Sequence, residues 1–580
     1  MISPFDLTQN PRPRGLEPLM RAFTPFQRML LYGFTITLGL SAFVLLAKAN
    51  DLISVRIPAQ GGSFVEGGVG TPRFVNPLLA VSQTDQDLTT LVYSGLVREN
   101  ADGTFIPDLA ESYDISENGT VYTFRLKKNL TFHDGEPLTA EDILFTLALA
   151  QNPDAKSTRR ADWEGVTAKA EDASTIIVTL PNAYAPFLEN ATMGILPKHV
   201  WQDVPVDEFP FAPENTHPVG SGPYEVRDVM FDAAGAPTEY TLASFDDFAL
   251  GEPHISRITY RIFSDTEEVL AAFESKDIDT FLASSPKTLA PETIDSSNAV
   301  RITLSRVFGV FLNQNHAPVL ADKSVREALD AAVDTRQIID EVLGGYGAPL
   351  DGPIPPGLFD TGTATAATST PETSRIENAR AILAGGGWKF DDAAGNWTKN
   401  KSELSITLAT ADTEELVATA ERIVSAWNAA GIKAKTEIYP LQEFNQSVLR
   451  PRTYDAILFG EVVGRSLDLF AFWHSSQRND PGLNLSLYTN TEADAALTTA
   501  RAESDPEKRH ASYTTIVESI ATDTPAVFLY APEVVYVVPQ YLQGVAGGTV
   551  TNPSERFLDV YEWYRDTERV WDIFIPSSTN

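Results

Sequence analysis

The sequence predicts an α/β protein of two or three packing units behind one N-terminal apolar helix. Three observations carry that reading. The chain has 580 residues, too many for one hydrophobic core. Its second half alternates helix-period and strand-period segments. The run from Met29 to Ala47, MLLYGFTITLGLSAFVLLA, contains no charged side chain.

The apolar run comes first in the chain. At helical rise, 19 residues reach about 28 Å, close to a bilayer core of roughly 30 Å. Upstream stand Arg12, Arg14, Arg21 and Arg28 against Asp6 and Glu17, a bias that keeps residues 1–28 cytoplasmic and sends everything after Lys48 outside. Ala47-Lys48-Ala49 has the small-x-small form of a cleavage site, so a cleaved signal peptide is the competing reading. The apolar run exceeds the usual signal-peptide core, which favours a retained anchor at 29–47.

Next, GGSFVEGGVGTP (61–72) lacks the Lys-Ser/Thr pair of a phosphate loop and reads as a turn-rich lead-in. Over 110–146, Tyr113 and Ile115 alternate with polar neighbours, Asn118-Gly119 supplies a hairpin turn, and Tyr122, Phe124 and Leu126 share a face of the returning strand. Then NLTFHDGEPLTAED (129–142) gathers a histidine and several acids. Local structure accounts for the acids: Asp134-Gly135 makes a turn, and Thr139 and Asp142 cap a helix ahead of Ile143, Leu144 and Leu147.

Residues 321–345 predict two helices broken at Asp334-Thr335 and stopped by Gly344-Gly345. TGTATAATSTPETS (361–374) reads as a polar linker or loop. Leu404 to Leu408, the helical stripe Leu416, Ala420, Ile423, Val424 and Trp427, and Ile432 to Ile438 form a βαβ unit, which requires parallel pairing.

Composition excludes several functions. A net charge of −34, from 44 basic and 78 acidic residues, argues against nucleic acid as a partner. With no cysteine there is no disulfide, thiolate metal site, cysteine nucleophile or lipidated cysteine. The seven histidines form no helical-spacing pair near His133, so no metal site and no cofactor are expected. An exported hydrolase would need a Gly-x-Ser-x-Gly or His-Glu-x-x-His signature, and neither occurs. Ser284-x-x-Lys287 stands without its companion motifs.

The ordered blocks NPLL (76–79), LVYSGLV (91–97), PDLAESYDISENGTVYTFRLKKNLTFHDGEPLTAEDILFT (107–146), GSGPYEV (220–226), FLNQNHAPVLADKSVREALDAAVD (311–334), ARAILAGGGW (380–388), AGIKAKTEIYP (430–440), and FWHSS with NLSLYTN (472–490) resemble a known family. They are similar to the extracytoplasmic solute-binding proteins of the oligopeptide, dipeptide and nickel class, family 5, which serve ABC importers. The resemblance runs from about Asn76 to Pro532.

It implies a bilobal, periplasmic-binding-protein-like α/β fold. Residues 50–90, 200–305 and 530–580 would form lobe 1, 91–199 a subdomain inserted in it, and 306–529 lobe 2, with crossings near Ser305 and Phe528. It implies a monomeric, non-enzymatic receptor that takes peptides to permease subunits and is held at the cell membrane by its N-terminal helix, or is released if that helix is cleaved. Its alternatives are another solute such as a nickel chelate, or a sensor or adhesin on the same fold.

Carried over by position, the ligand main chain is met by Val81, Ser82 and Gln83, and by Gly460, Glu461 and Val462 as an added β-strand. The amine-anchoring aspartate of peptide-binding members falls at Gly464, so that anchor is missing here. Asp468 or Glu461 are the expected substitutes. Trp163, Phe308 and Trp473 are the aromatic candidates for the cleft walls.

Overall fold

The computed structural model describes residues 23–100, 103–290, 297–359, 371–571 and 573. The apolar run lies in a helix, Pro25–Ile53, whose N-terminus carries a capping box between Thr24 and Gln27. Its segment Pro25–Lys48 has the length and composition to cross a membrane. Residues 1–22 of the expected cytoplasmic tail lie outside the described residues. After this helix, Ser54–Pro58 pairs antiparallel with Thr567–Trp571, and the two ends of the chain make a unit of their own, up to Ala59 and from Asp566. The expected lobe 1 had taken in both of these strands.

The second unit, Gln60–Arg565, is organised by a 13-stranded sheet. Its main strands in chain order are β1 (Ser63–Val69), β2 (Tyr224–Phe231), β3 (Pro237–Ser244), β4 (Arg257–Phe263), β5 (Thr280–Ala283), β6 (Asn298–Leu304), β7 (Arg306–Leu312), β8 (Ser405–Ala411), β9 (Lys433–Tyr439), β10 (Ala456–Val462) and β11 (Ala526–Val538). They lie in the order β9-β8-β10-β7-β11-β5-β1-β4-β3-β2, with β6 also on β11.

The hydrophobic cores divide this sheet. Two clusters use residues between 64 and 304 together with 534–563, and two others use residues between 307 and 531. The molecule is therefore bilobal, and the chain passes from one half to the other at two places. One is Ser305, between β6 and β7. The other is 532–533, inside β11, which pairs with β7 through Tyr530 and with β6 from Glu533 on. This second crossing lies a few residues beyond Phe528, which itself packs in the core of the second lobe.

The local readings hold where they rest on capping and period. Ala110–Ile115 and Val121–Leu126 pair antiparallel around Gly119 at φ +68°, and with Thr175–Thr179 and Thr167–Ala170 they form a four-stranded sheet. Its core is continuous with that of lobe 1. The helix Ala140–Gln151 starts in a capping box of Thr139 and Asp142. Helices Lys323–Ala332 and Thr335–Val342 are capped by Asp322 and Asp334. β8, the helix Glu414–Ala429 and β9 make the parallel βαβ unit.

Two readings are corrected. The glycine-rich 61–72 is no lead-in: it contains β1, near the middle of the sheet. Gly67 and Gly68 serve close packing, since a Cβ on Gly68 would overlap the Tyr260 hydroxyl and one on Gly67 would stand 2.5 Å from Ile278. Of the linker 361–374, residues to 370 lie outside the described residues, while Glu372 already begins the helix Glu372–Gly385.

Beside β1 lies a buried ionic cluster. Arg556 Nη2 is 2.9 Å from Glu66 and 2.6 Å from Asp87, and its Nη1 donates to Asp87 Oδ1 at 2.8 Å. Tyr260 donates to Asp87 and Tyr536 to Glu66, each at 2.7 Å, and Thr280 also donates to Glu66. Arg556→Ala leaves two buried carboxylates without their cation. Urea unfolding is expected to show a loss of about 3–5 kcal/mol, several times that of a substitution at an exposed arginine such as Arg227.

Candidate functional site

The first element of the site is a strand edge. β10 pairs with β7 along its whole length, but with β8 only at Ala456 and Ile457. Val463 donates its N–H to Ser305 O at 3.0 Å and its carbonyl accepts from Ser305 Oγ at 2.5 Å, so its polar groups face β7. Alternation along the strand turns the N–H and C=O of Gly460 and Val462 to the opposite, unpaired edge. Val462 is 50% exposed. Gly460 has no alternative residue: a Cβ there would stand 2.7 Å from the ring of Phe308, which stacks on Tyr530 with centroids 5.1 Å apart.

The other carried-over residues divide. Glu461 points to the opposite face and is 4% exposed, with Oε1 accepting no hydrogen bond. Burial pushes its carboxyl well above the ordinary range, opposed only in part by Arg452. It is no substitute anchor at the strand edge. Trp163 packs edge-on against Phe187 in the first lobe's core, and Trp473 packs against Phe311, Tyr488 and Phe528 in the second's. Neither is a cleft wall, whereas Phe308 stays half-buried beside Gly460. Ser82 caps the helix Gln83–Val92, Val81 is 66% exposed before it, and Gln83 donates to Asp87 at 2.7 Å and reaches Asn552 at 3.5 Å.

The second element is the turn after β10, which brings the lobes together. Arg465 Nε lies 2.9 Å from Glu99, its Nη1 donates to Glu555 at 3.4 Å, and its Nη2 donates to the Asn100 carbonyl at 2.6 Å. Ser466 donates to Glu189. Asp468 accepts from the Tyr184 hydroxyl at 3.2 Å and pairs with Arg501 at 3.1 Å, so it is already neutralised. Beside Gly464 stands a carboxylate from the other lobe: a Cβ there would lie 2.9 Å from Glu189 Oε1. The missing acid at 464 and the acid at 189 thus occupy adjoining space.

The acids that this turn meets also line a cavity of the first lobe, of about 290 Å³, with Tyr93, Glu99, Asp108, Glu189, Thr551 and Asn552 among its walls. Burial raises the Glu99 carboxyl to about 8, with Arg465 opposing and Glu555 and Glu189 reinforcing the shift. Among the described residues no group of three histidine or acidic side chains is placed to hold a metal ion. His133 is drawn down to about 4 by burial and is spent on Gly220 and Gly222. The partner that sequence distance hid is His199, 2.7 Å from Asp134.

Sequence reading missed Glu99, Glu189, Arg465 and Tyr93. Only Arg465, beside the expected anchor position, carried any signal. Glu189 had none, since it meets Ser466 across 277 residues of chain.

Comparison with known proteins agrees with this architecture. Residues 104–482 match the model of bacterial extracellular solute-binding proteins, family 5 Middle. The oligopeptide-binding protein AppA of Bacillus subtilis is 27% identical over 523 residues, covering 87% of this chain and 92% of that one. The structure of that protein in complex with a nonapeptide aligns at TM-score 0.63 with 26% identity, covering 88% of this chain and 100% of it. HbpA2 from Haemophilus parasuis shares the fold at TM-score 0.73 and 21% identity, covering 87% and 100%.

Two outcomes are expected. A Glu99 proton held to about pH 8 adds stability that is fully present below the unfolded carboxyl value of about 4.3 and is lost as pH rises through about 8. Glu99→Gln should therefore flatten the fall of Tm between about pH 5 and pH 9 in thermal melts. Gly464→Asp sets a second carboxylate against Glu189, so in thermal melts its Tm should fall further below the wild type than that of the neutral Gly464→Asn.

Proposed function

Because the chain belongs to the bacterial extracellular solute-binding proteins of family 5, we propose that it captures peptides between its two lobes and hands them unaltered to the permease of an ABC importer. The observation that carries this is the unpaired edge of β10. There Gly460 and Val462 offer N–H and C=O groups in strand geometry, next to an aromatic surface of Phe308 and Tyr530. A peptide added to that edge satisfies both sides' main-chain groups while its side chains point away from the ladder, so affinity tolerates varied sequences. The relative whose structure holds a nonapeptide supports the ligand class.

Mechanism follows from the two crossings. A ligand on β10 touches both lobes only when the turn 463–469 meets Glu99, Glu189 and Tyr184, so its differential affinity favours the closed form. A permease that reads closure need not read the peptide. The site performs no covalent step on the peptide. The protein acts as a monomer, and Pro25–Lys48 keeps it at the membrane with the lobes outside.

Mixed peptide pools should raise the Tm of the full-length protein, by the equivalent of about 2.7 kcal/mol at a hundredfold excess over Kd. Peptides N-methylated at alternate main-chain nitrogens should bind at least about tenfold more weakly by calorimetry, because each loses a ladder hydrogen bond. No shift with any peptide pool, or recovery of cleaved peptides, ends the reading. For the anchor, the full-length chain should stay with carbonate-washed membranes, and a mature N-terminus just after Ala49 would instead show cleavage.

A further inference from the structure

Resting on the reading that a peptide is held on β10, we propose that Arg306 binds an acidic side chain of that peptide and makes the receptor selective for ligands that carry one. Arg306 opens β7, directly after the crossing at Ser305. Its register partner on β10 is Val462, as that of Phe308 is Gly460. Alternation along a strand and pairing across it put Arg306, Phe308, Gly460 and Val462 on one face of the sheet. Val307 and Glu461 take the other face and are 1% and 4% exposed. On the shared face the Phe308 ring covers Gly460, whereas Val462, which Arg306 faces, is 50% exposed.

The guanidinium is uncommitted. Arg306 is half-buried, and its Nε is buried without a hydrogen-bond partner. Among the described residues no carboxylate, carbonyl or aromatic ring engages the rest of the group. Burial draws its pKa down with no acid opposing that shift, and the group stays charged all the same. An arginine serving only solubility would keep its water, and one serving the core would have a counterion. Acids are abundant in a chain with 78 of them, and Arg301 on the preceding strand has found one in Glu533 at 3.1 Å. A cation taken partly out of water and left unpaired is costly, and that cost is relieved when an anion arrives.

The fork of an arginine matches a carboxylate in two parallel N–H···O bonds. A peptide carries carboxylates at its C-terminus and on Asp or Glu. The terminal group continues the main chain and lies in the plane of the ladder, while a side chain rises from that plane. A strand added to the free edge of β10 presents every second side chain to the face on which Arg306 stands. Two strand spacings separate Arg306 from the added strand, roughly 10 Å between Cα atoms. Arginine and glutamate side chains extended toward each other over Val462 span that gap, and neither does so alone. Glu461, the acid of the contact strand itself, is turned to the other face and does not compete.

The test uses the full-length protein and four pools of synthetic peptides of one length built from Ala, Val, Ser, Leu and Phe: unmodified, amidated at the C-terminus, carrying one Glu at each position in turn, and carrying one Gln likewise. Affinities are read by titration calorimetry and native mass spectrometry for the wild type, Arg306→Gln and Arg306→Lys, each variant checked for an intact thermal transition.

The wild type should bind the Glu pool at least about tenfold more tightly than the Gln pool. Arg306→Gln should erase that difference, and Arg306→Lys, which keeps the charge without the fork, should retain part of it. Equal binding of the Glu and Gln pools by the wild type, or a preference unchanged in Arg306→Gln, overturns the proposal and leaves peptide capture standing. So does a loss confined to the amidated pool, which gives Arg306 the terminal carboxylate instead. Where Arg306→Gln does not fold, a preference unreduced in Arg306→Lys overturns it equally. Binding of no pool overturns peptide capture, and this proposal with it.

Discussion

Arg556 is held buried between Glu66 of β1 and Asp87 of the helix Gln83–Val92, while Tyr260, Tyr536 and Thr280 close the remaining acceptor positions. Each partner comes from a different strand, helix or turn of the first lobe, so one cation fixes their relative placement. Taking three charges out of water is expensive, and the arrangement survives because every carboxylate also receives neutral hydrogen bonds. Its consequence reaches the site. The short helix Pro553–Phe557 that carries Arg556 also carries Glu555, and the preceding Thr551 and Asn552 line the cavity. A salt cluster in the core thus sets the floor on which the second lobe's turn comes down.

The two lobes are tied by covalent continuity at Ser305 and at 532–533, and Tyr346 of the second lobe packs against a hydrophobic cluster of the first. Around the turn after β10 the contacts between them are polar: Arg465 on Glu99 and Glu555, Ser466 on Glu189, and Asp468 on Tyr184. Polar contacts that water can replace separate at less cost than packed apolar surface, which suits an assembly whose open and closed forms must lie close in free energy. β7 pairs with β10 along its whole length and so fixes the backbone geometry of its other, free edge.

Legibility in the sequence followed the range of the interaction. The hairpin over 110–126, the capped helix after Thr139, the paired helices after Asp322 and Asp334 and the parallel βαβ unit were readable because caps, turns and apolar periods act within a few residues. The same locality misled at β1. A glycine-rich run looks like turn chemistry until the ring of Tyr260, far along the chain, is seen to need the space. Aromatic residues failed for a related reason: Trp163, Trp473 and Phe308 are alike in sequence context, and only packing shows that the first two are core and the third lies beside a strand edge.

By itself the sequence determined the α/β class, the apolar N-terminal segment and the family through its ordered motifs. Those are properties of local pattern and block order. The tertiary structure alone decided which acid stands where Gly464 has none. It showed Asp468 already neutralised by Arg501, Glu461 turned into the core, and Glu189 brought across from the other lobe. A carboxylate's role is set by the charges, donors and solvent around it, and here those neighbours come from chain segments hundreds of residues apart, beyond the reach of any local pattern.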